Sequence, residues 1–388
     1  MSTLKSNLWK LYGYKLFSSF WLIAPILIPF YQSNGLSGTQ VFVIQAIYAL
    51  ALLIFEIPSG YLSDVIGRKK TLIIGAVLLP IGVSVYAFSS TFIAFAVAEI
   101  IVAIAGSMHS GTDSAMLYDT LLQLKQKSKY KKTEGTANFF NSIGTASASL
   151  LGGLLALITL RTPFYFNIAT AIVLIPLAVS LIEPKRKKSI SKNHFQEILK
   201  IVKYTLNHSK IRSLAIYFSL LLSTGIIGVW SYYMYYGELG LSVGLYGILF
   251  AVTGLAIAFG SKHADFIENK IGRKNSLYLL LLISPIFLAL GFIKSIFLIP
   301  FIFVNAFLWG FSTPLFMEYI NQLIKSDIRA TVLSVNSMIG RSAYVILAPI
   351  FGKLIDVYSL SFALKSMGLF FLVMGIISLI LLNKNKVI

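Results

Sequence analysis

The chain has 388 residues, of which 57% are hydrophobic and only 12% charged, whereas a soluble domain carries about a quarter charged residues. That excess excludes a soluble globular protein, because an interior of this size cannot hide so much apolar surface. The net charge of +19 suggests a nucleic-acid surface, but its placement along the chain argues for a membrane instead.

Apolar runs occur at 12–31, 39–62, 71–89, 92–117, 134–159, 163–183, 212–237, 242–262, 276–293, 296–324, 330–352 and 361–382. Each is near the roughly 20 residues that cross ~30 Å of hydrocarbon as a helix. Backbone polar groups in lipid must be satisfied within the segment, so an all-α membrane protein of twelve transmembrane helices is expected. The short alternating strands of a β-barrel do not occur. With both termini in the cytoplasm, 28 of the 33 Lys and Arg fall on the cytoplasmic side. Only Arg161, Lys294, Lys353 and Lys365 fall outside, and Arg341 lies within a span. This asymmetry orients membrane proteins, so the positive charge is topological and no nucleic acid is expected as a partner. The polar start, Met1 to Lys10, carries no cleavable signal, so the first run is expected to remain in the membrane. Cysteine is absent, which excludes disulfides and thiolate metal sites.

The longest polar stretch runs from Glu183 to Arg212 and opens with Lys185, Arg186, Lys187 and Lys188. Beyond these, Phe195, Ile198, Leu199, Val202 and Leu206 fall within about 100° of helical arc. An interfacial helix on the cytoplasmic leaflet is expected there. The implied domains are a six-helix bundle over 1–183, a basic linker over 184–211 and a second six-helix bundle over 212–388. The halves repeat. After the second span stand Gly60, Leu62, Asp64, Gly67, Arg68, Lys69 and Leu72; after the eighth stand Gly260, Asp265, Gly272, Arg273 and Lys274. Asp64 and Asp265 are 201 positions apart, and Asp119 and Glu318 are 199 apart, each followed four residues later by Gln (Gln123, Gln322). Internal repeats of this size build many secondary transporters. The second copy has four extra residues between its Asp and its Gly.

The Gly60–Leu72 stretch resembles the loop signature of the major facilitator superfamily, departing at Val65, where a basic residue is usual. The helix count, the half-repeat and the basic central loop extend the likeness along the whole chain. The runs Glu56-Ile-Pro-Ser-Gly60, Ser110-Gly111-Thr112-Asp113-Ser114-Ala115 and Tyr118-Asp119 resemble a bacterial branch close to drug:proton antiporters. The resemblance implies that Asp64 caps the start of the span near Ala330 and that Arg68 pairs with Asp113 or Asp119. Together with Gly60 and Gly67 they would form a latch closing the cytoplasmic side. Two signatures depart: Glu99 stands where the fourth helix usually carries arginine, and Ala148 and Ser149 precede Gly152 and Gly153, where antiporters carry Gly-Pro. Gly144, Ala148 and Gly152 keep a spacing that permits close helix packing.

Only 14 carboxylates exist, and a charge at the bilayer centre costs about 2.5–3.5 kcal/mol on insertion scales. Glu99 and Glu56 lie inside spans, and burial disfavours the charged form of a carboxyl, the property a proton carrier exploits. Both are candidate proton-coupling residues. Arg341 needs a carboxylate, a carbonyl or an anionic substrate. His109 could relay protons. Trp230, Tyr232, Tyr233, Tyr235 and Tyr236 crowd one end of the seventh span, as an interfacial aromatic belt does. Some of these rings, Tyr232 and Tyr236 foremost, could instead line a cavity for an amphipathic substrate. Arg341, His109, Tyr232 and Tyr236 are therefore the substrate-cavity candidates. Pro25, Pro29, Pro285 and Pro349 lie within spans, where they are expected to bend helices.

No nucleophile–base pair, metal-ligand cluster or phosphate loop occurs, so an enzyme is not expected, nor any metal or cofactor. These features predict a monomeric secondary transporter of a bacterial inner membrane, exporting a small amphipathic or drug-like molecule against protons. The altered fourth and fifth spans keep open a dedicated importer or exporter of a metabolite or siderophore.

Overall fold

The computed structural model describes residues 2–185, 202–324 and 329–387, which form helices and no strands. Eleven helices among them are long and apolar enough to cross a membrane. The first apolar run is not one of the eleven, because it is broken. A helix over Asn7–Ser18 stops, a single 3₁₀ turn follows at Ala24–Ile26, and a short helix resumes over Leu27–Ser33. The Ser18 and Ser19 hydroxyls donate back to the Lys15 carbonyl at 3.2 and 2.5 Å. Such local bonds compete with the helical ladder. Pro25 sits in the first turn of the 3₁₀ segment, where its missing N–H costs nothing. Pro285 follows a second 3₁₀ turn at Leu280–Leu282, whereas Pro349 is carried inside the continuous helix Arg329–Val357.

The remaining spans follow the hydropathy closely: the second is Gly38–Ile66, the third Arg68–Phe88, the fifth Tyr130–Ala156 and the seventh Ser209–Glu238. The fourth runs over Phe92–His109, breaks at Gly111 and continues as Thr112–Gln123. The loop before the ninth span is itself helical from Ala264, with Gly272 (φ 82°, ψ 159°) as the kink where the span proper begins. Most of the amphipathic stripe expected in the linker (Phe195, Ile198, Leu199) lies outside the described residues; 202–207 are helical.

The chain divides into two compact units. One comprises Met1–Leu36, Ile47–Ser191 and Ser242–Ala251; the other comprises Ser37–Ala46, Lys192–Leu241 and Val252–Ile388. Residues 37–46 and 242–251, the starts of the second and eighth spans, thus group away from the bundles of their sequence neighbours. Within the first unit the first span packs on the fifth and sixth, and the third on the fourth and sixth. Within the second unit the seventh packs on the eleventh and twelfth, and the ninth on the twelfth. The pairs 1–5, 1–6 and 3–6 thus recur as 7–11, 7–12 and 9–12, so the sequence repeat is also a repeat of packing. The 1–5 contact depends on a missing side chain: a Cβ on Gly152 would overlap the Leu22 carbonyl oxygen. Small residues at such crossings let backbones approach.

In the second unit both Asp356 carboxylate oxygens accept backbone N–H bonds, from Gly38 at 2.6 Å and Thr39 at 2.8 Å. Asp356 therefore caps the second span, placing negative charge at the positive end of the helix dipole. Phe42 meets Phe351 edge-on, with centroids 5.0 Å apart, one turn further along.

Candidate functional site: charged clusters within the spans

Gly67 alone separates the second and third spans, with φ 109° and ψ 150°, a region essentially reserved for glycine. A Cβ there would also press on the Glu183 carboxylate. Glu183 accepts the N–H bonds of Arg68 at 3.0 Å and Lys69 at 2.7 Å, capping the third span. With its backbone so held, Arg68 extends its side chain to Asp119, Nε to Oδ2 at 2.6 Å. Of the two acids the resemblance offered, Asp119 is the partner; Asp113 lies with Lys15 instead, 3.5 Å away. Gly60 is helical and exposed, with open space where a side chain would stand. Asp64 is half-buried. The helix start near Ala330 expected to receive it falls within 325–331, whose side chains lie outside the described residues.

The second copy is wired differently. Arg273 stacks over the Tyr319 ring at 3.8 Å and donates to Gln322 at 3.3 Å, and Gln322 donates to Glu318 at 3.0 Å. Tyr319 donates to Glu268, a residue of the four-position insertion, at 2.5 Å. A tyrosine and a glutamine thus stand where the first copy has a direct arginine–carboxylate bond.

Glu99 is only 4% exposed and accepts from the Tyr31 hydroxyl at 3.0 Å. The Tyr86 hydroxyl is 3.1 Å from that of Tyr31, and Phe95 packs against both rings. Glu99 therefore sits in an aromatic box inside the first unit. Glu56 is exposed on its helix and has no side-chain partner among the described residues. Tyr14 Oη is 2.5 Å from His109 Nδ1, a Cβ on Gly75 would meet its ring at 2.8 Å, and its Nε2 is buried without a hydrogen-bond partner among the described residues. The ring lies between the first, third and fourth spans.

Tyr232, Tyr233, Tyr235 and Tyr236 are at most 4% exposed. Tyr232 is hydrogen-bonded to Asn305 and stacked on Phe287, and Tyr235 donates to the carbonyls of Ile293 and Ser295. A lipid-facing belt would be exposed, so these rings are core of the second unit. Arg341 is half-buried and has no hydrogen-bond or ion-pair partner among the described residues. No group of three or more His, Asp or Glu among the described residues is arranged to hold a metal ion.

Sequence reasoning missed two charged residues. Lys15 falls inside the expected first span, a signal that counting charges by side absorbs, and Glu134 opens the fifth span. The structure brings both to Asp113. It also missed Asn7, which is fully buried; its side chain donates to Ile182 O at 2.8 Å and Thr120 Oγ1 at 3.2 Å and accepts from Ile182 N at 3.0 Å.

The profile of the Major Facilitator Superfamily matches residues 16–346. An uncharacterized MFS-type transporter of Methanocaldococcus jannaschii is 23% identical over 258 residues, 64% of each chain. The quinolone resistance protein NorA of Staphylococcus aureus is 24% identical over 249 residues, 64% of this chain and 62% of that protein. The matched stretch thus spans less than two thirds of either relative's own length. Among solved structures, a mutant of the nucleoside transporter NupG aligns with a TM-score of 0.82 at 14% identity, over 98% of this chain and 99% of that one. A bacterial homolog of the human lysosomal transporter Spinster aligns with a TM-score of 0.72 at 16% identity, over 98% and 96%. The helical architecture, the repeated packing and the profile match agree: the chain is a multi-pass membrane protein and belongs to the Major Facilitator Superfamily.

Proposed function

We propose that the chain exports a small amphipathic or drug-like molecule from a bacterial cell by alternating access, in exchange for protons. The observation that carries this reading is the Glu99 carboxyl, 4% exposed in an apolar span and held by the Tyr31 hydroxyl. A carboxyl kept at such a depth has a functional use by default. A tyrosine hydroxyl can donate to its ionised form and accept from its protonated form, so the site tolerates both. NorA, named for quinolone resistance, supports an amphipathic cargo. In this reading two six-helix bundles (1–183 and 212–388) rock about the 184–211 linker, with both termini cytoplasmic and the chain acting as a monomer. Glu56 is the second proton carrier, the Arg68–Asp119 pair with Gly60, Asp64 and Gly67 is the latch, and Arg341 contacts cargo.

The second reading is a transporter dedicated to one metabolite or siderophore. It is favoured by Ala148 and Ser149, which replace the Gly-Pro of the export signature on the fifth span.

The test uses purified protein in liposomes with an imposed pH gradient and ethidium as the probe. Gradient-driven accumulation of ethidium should be lost in Glu99→Gln while the variant remains folded. Unchanged coupling in both Glu99→Gln and Glu56→Gln would refute the assignment. Gradient-driven movement of a nucleoside with none of ethidium would favour the second reading.

A further inference from the structure

The break at Gly111 (φ 73°) places Asp113 and Ser114 on the first turn of the helix that continues the fourth span. There they meet Lys15 from the first span and Glu134 and Asn138 from the fifth. Lys15 Nζ lies 2.8 Å from Glu134 Oε1, 3.5 Å from Asp113 Oδ2, 3.1 Å from Ser114 Oγ and 3.3 Å from Asn138 Oδ1. Ser114 donates its hydroxyl to Glu134 Oε1 at 2.7 Å, and its N–H to Asp113 Oδ1 at 2.6 Å. The side chains of Lys15, Asp113 and Glu134 are 8%, 15% and 18% exposed.

Two carboxylates face one ammonium. Among the described residues no second cation lies within ion-pair distance of either acid. The same helices also carry Lys10, Tyr12, Tyr14, His109, Tyr118, Tyr130, Lys131 and Lys132, the last two exposed. Tyr14 lies against His109 Nδ1, whose Nε2 is buried without a partner among the described residues, and Tyr118 and Tyr130 pack edge to face. On the third span Arg68 is taken by Asp119, and Lys127 lies over the Tyr118 ring. Ionised throughout, the cluster would carry one uncompensated negative charge in a largely enclosed site, which is unfavourable. Within the pair, Glu134 Oε2 is buried and has no hydrogen-bond partner among the described residues. An unpartnered oxygen is far cheaper on a neutral carboxyl than on a carboxylate.

We propose that the Lys15–Asp113–Glu134 cluster is a proton-binding site of this transporter, its two acids sharing one exchangeable proton. Binding converts one of the two carboxylates and one proton to the neutral acid and leaves Lys15 balanced by the other. Release restores a second anion beside Lys15. Because the three residues stand on the first, fourth and fifth spans, gain or loss of the proton changes the attraction between those helices. The site adds to Glu99 in the proton-exchange reading, but its occupancy can be read without any cargo.

Infrared spectroscopy of the full chain in detergent tests it through the carbonyl stretch of protonated carboxylic acids. At neutral pH the wild type should show a component that disappears in Glu134→Gln and survives in Glu99→Gln. Lys15→Met, which removes the compensating cation, should gain one further protonated carboxyl. If Glu134→Gln does not fold, carbodiimide labelling of the wild type decides, since the reagent attacks protonated carboxyls: an adduct on the Asp113 or the Glu134 peptide supports the site. A spectrum unchanged by Glu134→Gln, absence of that adduct, or a component abolished by sodium rather than by alkali would overturn it. Failure of ethidium transport in the wild type would sink the export reading and leave this result untouched.

Discussion

Arg68 Nε lies 2.6 Å from Asp119 Oδ2 with both side chains largely enclosed, at 18% and 14% exposure. The third span's first residue is thereby tied to the end of the fourth, while Glu183 holds the same residue's backbone N–H. Stripping one partner leaves a poorly solvated charge. Arg68→Gln and Asp119→Asn should each lower stability by about 1–3 kcal/mol. The double variant should lose less than the sum, with a coupling of about 0.5–3 kcal/mol. Thermal unfolding in detergent across the four proteins measures this, and strictly additive losses would show that the pair does not stabilise the fold.

Gly67 holds a backbone conformation open to glycine alone. Gly67→Ala should cost about 1–3 kcal/mol. Gly67→Asn should be no better, because the region is not the left-handed helical one that asparagine tolerates. Glu183→Gln should cost about 0.3–1 kcal/mol through the weakened cap. Equal melting temperatures for Gly67→Ala and the wild type would contradict the strained turn.

Gly152→Val forces a branched side chain onto the Leu22 carbonyl, where even a Cβ overlaps. Separation of the first and fifth spans should cost at least about 1–3 kcal/mol. Size-exclusion profiles in detergent should show loss of monodisperse protein. A well-behaved Gly152→Val would mean that the crossing can open without cost.

Asp356→Ala removes the cap on Gly38 and Thr39, with an expected loss of about 0.5–2 kcal/mol. Hydrogen exchange followed by mass spectrometry should show faster exchange in the 37–46 peptide than in the wild type. Unaltered exchange there would argue that the cap is dispensable.

Among the described residues Arg341 has no hydrogen-bond or ion-pair partner to lose. Arg341→Leu should keep or raise thermal stability, since a guanidinium within a span carries an insertion penalty of about 2.5–3.5 kcal/mol. If Arg341 contacts cargo, flux should nevertheless fall by roughly tenfold, the equivalent of about 1.4 kcal/mol. A large drop in melting temperature would instead point to a structural contact.

The reach of sequence reasoning is clearest at three residues. The pairing of Arg68 with an acid of the fourth span was implied by the resemblance of its loop; the choice between Asp113 and Asp119 was not, since both lie on the same helix. Lys15 and Glu134 were overlooked because each sits where a charge by itself resembles an anchor, and only their meeting makes them a cluster. The tyrosines of the seventh span matched an aromatic belt by position, but burial against Asn305, Phe287 and the 293–295 loop decided otherwise.

The linear order of apolar and polar residues determined the membrane and the helices, which follow from local backbone satisfaction and hydrophobic length acting along the chain. The two-fold repeat and the family were carried by the loop residues of Gly60–Leu72 and their second copy. Which acid meets Arg68 and that Lys15 sits between two carboxylates were decided by tertiary structure. Those outcomes depend on distances between helices, and Coulomb and desolvation energies change over a few ångströms that no residue spacing records.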